Sequence, residues 1–488
     1  MAAKPRSTTG IRARRGSAPR LLCALGLGLG IAGLFWLVFS RAFPLSEYCD
    51  RRHPTWVLPL FTRPRYTAVS GESFLLLMAA VSVAYLAALR LAVGLRGSRA
   101  ALLLLGIVPL VMLAVLLPGQ PLLSGDVRGY VLEGRILAVY RENPFLHPAA
   151  EFPNDDFYNL VYFKSEVSAY GPLWRVAEAG AALLEGNECR HAVLAMKAWP
   201  ALAYLATTAA LFAMLRAWYP ERAIWGTMTY AWNPLVALET LQNGHNDAVA
   251  ALPILISVWL ATQRRFRLSF VFLATAALVK PLALALGPLL LIAALRRSAP
   301  AYREAAQGVG LAVALTTLGY LPFWAGLDTL QGLSRGRMFT ASPAELLLLA
   351  LQKVGLSLGP AMDLAMVVPS GLFLVALAPL LLSTWSGRLD VVSAAVAAFF
   401  LYCLLAAQWF NPWYLLWLAP LAALAPDLPP RALGVGFMLL APSVYLLQYE
   451  ALPVVLAVFL PMAVLAVYWR VWLGWPGRIH SQPAAVAG

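Results

Sequence analysis

The chain has 488 residues, 61% hydrophobic and 12% charged, with a mean hydropathy of +0.71 and a formal net charge of +14. A soluble protein of this length carries about twice that charged fraction, so an ordinary water-soluble enzyme is excluded. The basic residues lie in short loops and at the N-terminus rather than in a patch interleaved with aromatics, which argues against a nucleic-acid partner.

The first twenty residues are rich in Lys and Arg and precede an apolar run at 21–39. That run is long for a signal peptide and has no small-residue cleavage site, so an uncleaved signal anchor is expected. Two further apolar runs follow at 73–93 and 100–117. Such runs recur through the chain at about 17–25 residues, the length that crosses a hydrocarbon core of about 30 Å.

The longest polar stretch comes next, at 118–191, and opens on Leu123-Ser124-Gly125-Asp126. A helix is predicted from Val127 to Tyr140, with Asp126 as its N-cap and Val127, Tyr130, Val131 and Leu137 as a face lying on the membrane. An aspartate beside a helix N-terminus stays ionised, which suits it to take a proton. Arg128, Glu133 and Arg135 sit on the same helix, Asn143-Pro144-Phe145 at its exit, and Tyr170-Gly171-Pro172-Leu173-Trp174 near the end of the loop. Neighbouring Asp155 and Asp156 are expected to be solvated rather than to hold a divalent metal.

Apolar runs at 192–215 and 223–240 lead to the turn Asn243-Gly244-His245-Asn246-Asp247. Polar residues between two membrane segments are expensive unless used, so His245, Asn246 and Asp247 are candidate functional residues. After the run at 247–262 comes Ser269 to Leu295, with arginines at both ends and Lys280-Pro281 near its middle. A single span would place the two arginine clusters on opposite faces. A hairpin of two short helices keeps both inside and puts Lys280 at a recessed outer turn, which must line a protein-enclosed or watery cavity. A lysine within an apolar run is a candidate functional cation, here for an anionic phosphate leaving group.

The remaining runs lie near 307–325, 362–384, 390–408, 411–425, 431–449 and 451–473. Arg335 and Arg337 fall in the polar loop 326–361 and are weaker candidates for the same phosphate. The turn Gln408-Trp409-Phe410-Asn411-Pro412-Trp413-Tyr414 fits an interfacial aromatic belt, and it also offers surfaces to stack on a sugar or flank a prenyl chain.

The distribution of Arg and Lys gives an all-α polytopic bundle with about 14 crossings, both termini cytoplasmic, and an outward loop carrying interfacial helices. The expected divisions are a basic tail at 1–20, N-terminal transmembrane helices at 21–117, an extracytoplasmic catalytic loop at 118–191, a transmembrane bundle at 192–473 and a cytoplasmic tail at 474–488. Of the four cysteines, Cys49 and Cys189 both fall in loops expected outside, where a disulfide is open to them. No spacing suggests a zinc site.

Read in order, the acidic residue in an early outward loop, the Gly-Arg of the next helix, Asn-Pro-Phe, Tyr-Gly-Pro-Leu-Trp, Asn-Gly-His-Asn-Asp, Lys-Pro and Asn-Pro-Trp-Tyr-Leu-Leu-Trp form a pattern across about residues 100 to 425. It resembles the integral-membrane GT-C glycosyltransferases, and most nearly the bacterial polyprenyl-phosphate-mannose-dependent mannosyltransferases. The resemblance implies inverting transfer of a sugar, often mannose, from a polyprenyl-phosphate donor to a glycan or glycolipid acceptor outside the cytoplasmic membrane. Asp126 would then be the general base. Lys280 would receive the phosphate, and Arg128, Tyr130, Arg135, Tyr170, Gln408, Trp413 and Tyr414 would join the binding surface. No cofactor is expected, since cationic side chains can carry the phosphate charge. A lipid-linked sugar transporter and a glycan polymerase or ligase are the rival readings; the last would give Arg335 and Arg337 the central role.

Overall fold

The computed structural model describes residues 17–45, 71–95, 99–185, 188–297, 299–447 and 450–472. Every regular element among them is helical, and β-pairing is confined to isolated bridges. Of three N-terminal helices, α1 (Ser17–Phe35), α2 (Gly71–Ala92) and α3 (Arg99–Leu116), the first packs on both of the others. The following loop contributes α4 (Asp126–Ala138) and α5 (Pro172–Glu185), which lie side by side. A long α6 (Cys189–Trp218) re-enters the apolar layer, its first turn capped by the Glu188 carboxylate accepting from the His191 amide. Then come α7 (Ala223–Ala231), α8 (Pro234–Ala237), α9 (Asp247–Thr262), α10 (Phe266–Val279), α11 (Gly287–Leu295) and α12 (Ala299–Tyr320).

The C-terminal part holds α13 (Pro343–Lys353), α14 (Leu358–Trp385), α15 (Val391–Leu401), α16 (Leu415–Leu424) and α17 (Leu428–Leu440), followed by a short turn of helix, Ser443–Leu446, and a continuous helical stretch from Ala451 to Trp472 that passes through a π-helical turn. Apolar side chains around the whole circumference mark a helix for the interior of a bundle. That is where α9, α15 and α16 lie: α16 is buried throughout, and α9 packs against α6, α10, α15 and α16. On α12 and α14 most apolar side chains face outward, as leucine and valine do toward lipid. Two serines fasten the central pair, Ser257 Oγ donating to the Ser269 carbonyl at 2.7 Å and Ser269 Oγ to the Ser257 carbonyl at 2.8 Å.

Six helices among the described residues are long and apolar enough to cross a membrane, and several more are apolar but shorter. These helices do not confirm the count of about 14 crossings read from hydropathy runs, and several of those runs are broken. The run 223–240 stops at Trp232 and restarts at Pro234, where Asn233 caps α8 by accepting from the Leu235 and Val236 amides. Further on, the run 390–408 ends in a π-helical turn, Tyr402–Ala406.

At Lys280 the chain breaks as the Lys-Pro step predicts. Proline clashes with a helical residue before it, so Lys280 is extended (φ −141°, ψ 106°) and a 3₁₀ segment, Pro281–Leu286, leads into α11. Arg297, just past α11, is held below its ordinary pKa by burial and by the like charges of Arg296 and Arg264. The arginines before α10 and after α11 thus gather at one end of the bundle, with Lys280 at the other.

The loop carrying Asp126 is pinned onto these broken helices. The Asn243 side-chain oxygen accepts from the amides of Leu122 at 3.1 Å and Leu123 at 3.2 Å, and the Gly171 amide donates to the Val279 carbonyl at 3.0 Å. Gly171 has no room for a side chain, because a Cβ there runs into the Leu278 carbonyl. Gly244 turns the chain at φ +71°, a left-handed conformation that favours glycine.

Candidate active site

Four charged side chains that the sequence singled out, from three separate stretches, come together beneath α4. Asp126 stands in the first turn of α4 with Gly125 at the cap position, and its amide donates to Ser124 Oγ at 3.1 Å. Capping is therefore not its role. Its carboxylate points into the protein, where Oδ2 lies 3.3 Å from the Tyr170 hydroxyl, 3.4 Å from the Tyr130 hydroxyl and 3.5 Å from His245 Nδ1. The Asp126 side chain keeps 18% of its surface, whereas His245 has none. Burial alone would raise the Asp126 carboxyl, but His245, Lys280 and the Ser124 hydroxyl outweigh it and hold the group below the ordinary carboxylate range.

His245 occupies the buried turn between the π-helical segment Leu238–Gln242 and α9, with Glu239 Oε2 3.3 Å from its Nε2. Burial by itself lowers an imidazole pKa, yet the carboxylates of Asp126 and Glu239 on either side raise it to about 9. Trp413 stacks on the ring, centroids 4.1 Å apart and planes 16° apart. Lys280 Nζ donates to Asp247 Oδ1 at 2.5 Å. The rings of Trp417, Tyr414 and Tyr170 stand around the ammonium at 5.2, 5.3 and 5.4 Å, close enough for cation–π attraction.

A cleft in two lobes meets at Asp126. The larger, about 480 Å³, is lined by Ser124, Tyr130, Glu133, Tyr162, Phe339 and Thr340 among others. The smaller, about 230 Å³, contains Lys280, Tyr402, Gln408 and Tyr414. Asp126, Phe163, Tyr170, Met338, Trp409, Asn411 and Trp413 border both. One wall is set by a bridge between two distant segments, Thr340 donating its amide to the Gln408 carbonyl at 3.1 Å and Phe410 donating to the Thr340 carbonyl at 3.0 Å.

Other expected residues lie elsewhere. Arg135 donates to Asp155 Oδ2 at 2.9 Å, and Tyr140 donates to the same oxygen at 2.9 Å. Asp155 is thus a buried structural partner rather than a solvated acid, and Arg135 is not in the lining of the cleft. Arg128 is buried on α4, also outside that lining, and Asn246 is fully buried beside His245. The face Val127, Tyr130 and Val131 packs inside the protein, against the loop and α6, rather than on lipid. The side chains of Arg335 and Arg337 lie outside the described residues, as does Cys49; Cys189 is disulfide-bonded, and Cys23 and Cys403 are free.

Sequence reading passed over Glu239 and Lys197. Both sit within apolar runs, the signal that drew attention to Lys280. Lys197 donates to the carbonyls of Leu116, Leu117 and Gly119 at 3.2, 2.6 and 2.7 Å, closing the end of α3 just before the Asp126 loop.

A family model described as alpha-(1->6)-mannopyranosyltransferase, N-terminal domain, matches residues 27–296. That span takes in Asp126, Glu239, His245, Asp247 and Lys280, and stops before the wall at 338–340 and 408–414. No curated protein matches the chain.

Proposed function

The chain belongs to the alpha-(1->6)-mannopyranosyltransferase family, and on that premise we propose that it draws mannose from a polyprenyl-phosphate donor and delivers it outside the cytoplasmic membrane. As a member it is a membrane mannosyltransferase of the GT-C type. The acceptor is a glycan or lipid-linked glycan that offers a primary 6-hydroxyl. The observation that carries this reading is the placement of one carboxylate, Asp126, where two lobes meet, with Lys280 lining only the smaller lobe.

The donor phosphate enters the Lys280 lobe. An ammonium has three donors, so Lys280 reaches a phosphate oxygen without releasing Asp247. The acceptor sugar occupies the larger lobe, lined by Asp126 and Glu133, with its 6-hydroxyl toward Asp126 Oδ1, the oxygen that Tyr130, Tyr170 and His245 do not use. As the acceptor oxygen bonds to the anomeric carbon, its proton passes to Asp126 and the carbon–oxygen bond to phosphate breaks. The electron pair leaves on the phosphate, and the charge that develops there is met by Lys280. A single displacement inverts the anomeric centre, so an α product requires a β-linked donor.

The reading is tested with membranes carrying the protein and a mannan-type acceptor, supplied with radiolabelled mannose on either polyprenyl phosphate or a nucleotide. Label should enter an α-(1→6) linkage from the lipid donor alone. Incorporation only from the nucleotide would remove the lipid-donor assignment.

A further inference from the structure

Glu239 is fully buried beside the site and takes no part in the steps above. A carboxylate in an apolar interior is retained only with partners, and it has three, two from the turn that follows it and one from a distant part of the chain. Tyr445 donates its hydroxyl to Oε1 at 2.8 Å, Asn243 donates its side-chain amide to Oε2 at 2.9 Å, and His245 Nε2 is 3.3 Å from the same Oε2. The Asn243 oxygen in turn holds the amides that lead into the Asp126 loop. Glu239, His245 and Asp126 therefore form one line, carboxylate–imidazole–carboxylate, clamped on its flank by Trp413.

We propose that Glu239 is a positioning residue for mannosyl transfer, acting through His245 to keep a charged imidazolium paired with Asp126 Oδ2. This rests on Asp126 being the base of the reaction. Only the imidazolium has an N–H on both nitrogens, so only it satisfies both carboxylates at once. The surrounding charges agree. Asp247 is matched by Lys280, and the Lys197 stem packs on Gly244 with its ammonium turned to the carbonyls at the end of α3. Asp126 and Glu239 are left to face His245. With His245 charged, Asp126 stays ionised and Oδ1 stays aimed at the acceptor. With His245 neutral, one nitrogen lone pair meets a carboxylate, and the line is repelled at one end.

The pH dependence follows in sign. The two carboxylates raise the imidazole, so the charged form persists to about pH 9 and transfer declines as pH rises through that value. Removing the Glu239 charge lowers the imidazole toward its ordinary value of about 6.5. The decline then begins at lower pH.

The experiment is the pH profile of kcat for the full-length protein and for Glu239→Gln, with KM measured for donor and acceptor. Losing one buried charged contact that acts in the transition state lowers kcat at pH 8 by about 10–100-fold. Both KM values should be unchanged, the basic limb should move down by at least one pH unit, and Glu239→Asp should recover part of the rate. An unmoved basic limb, or an effect confined to KM, overturns the proposal. If Glu239→Gln does not fold, nitrogen NMR of histidine-labelled wild-type protein decides it. His245 should carry protons on both nitrogens at pH 7.5; a singly protonated ring overturns the assignment. That spectrum requires no turnover, so a failed donor assay and a failed Glu239 role are separate results.

Discussion

At the scale of residues, Lys280 is the side chain whose two roles have to be separated. It is bonded to Asp247, walled by aromatics and placed in the smaller lobe. Lys280→Ala alone strands the Asp247 carboxylate, and breaking a buried pair costs about 3–5 kcal/mol, so lost activity would not distinguish binding from folding. The double variant Lys280→Met/Asp247→Asn removes both charges together. It should express and unfold much like the parent, while donor KM rises by about 10–100-fold, as expected for a lost charged contact. An unchanged donor KM would remove Lys280 from phosphate binding. Asp126, His245, Asp247 and Lys280 were legible in the sequence because a charge stands out against an apolar background. Glu239 carries the same signal but stands at the end of a run beside a polar turn. Arg135 read as part of the binding surface and Asp155 as a solvated acid because nothing local says that they meet each other across twenty residues.

At the scale of elements, the Lys280 break and the placement of its arginine ends were legible, because proline chemistry and basic flanks both act locally. The π-helical turns at Leu238–Gln242 and Tyr402–Ala406, both beside the site, leave no mark in hydropathy. Such turns often occur at functional sites, and here one presents Glu239 while the other lines the smaller lobe. The inward face of α4 was equally hidden, since an apolar stripe fits lipid and protein alike. The contact that seats this loop is Gly171 on the end of α10. Gly171→Ala should cost about 1–3 kcal/mol of stability, as overpacking does, and should lower kcat by displacing Tyr170 from Asp126. Thermal unfolding in detergent and initial rates check this. Parental values for both would show that the loop is seated by other contacts.

At the scale of the whole molecule, the helical, membrane-embedded class was legible from composition, while the six long apolar helices among the described residues do not confirm a count of about 14 crossings. Hydropathy counts apolar runs, while this chain divides several of them into short helices that meet inside the bundle. The site lies at the Lys280 end, and the arginines Arg264, Arg296 and Arg297 mark the opposite end. Cytoplasmic loops carry an excess of such residues, so the cleft should face outward. Alkaline phosphatase fused after Asp156 should be active, and a fusion after Arg265 should be inactive. The reverse pattern would put the cleft in the cytoplasm and exclude an external acceptor.

The central claim is that the Asp126 carboxylate takes the acceptor proton, and the most direct measurement compares wild type with Asp126→Asn. Asparagine keeps nearly the same shape and retains a hydrogen-bond acceptor, but it cannot accept the proton. Membranes of each should receive radiolabelled polyprenyl-phosphate mannose and acceptor. The account predicts transfer reduced at least about 100-fold, the scale of a lost general base. Expression and donor binding should be unchanged. Transfer at the wild-type rate by Asp126→Asn would contradict it.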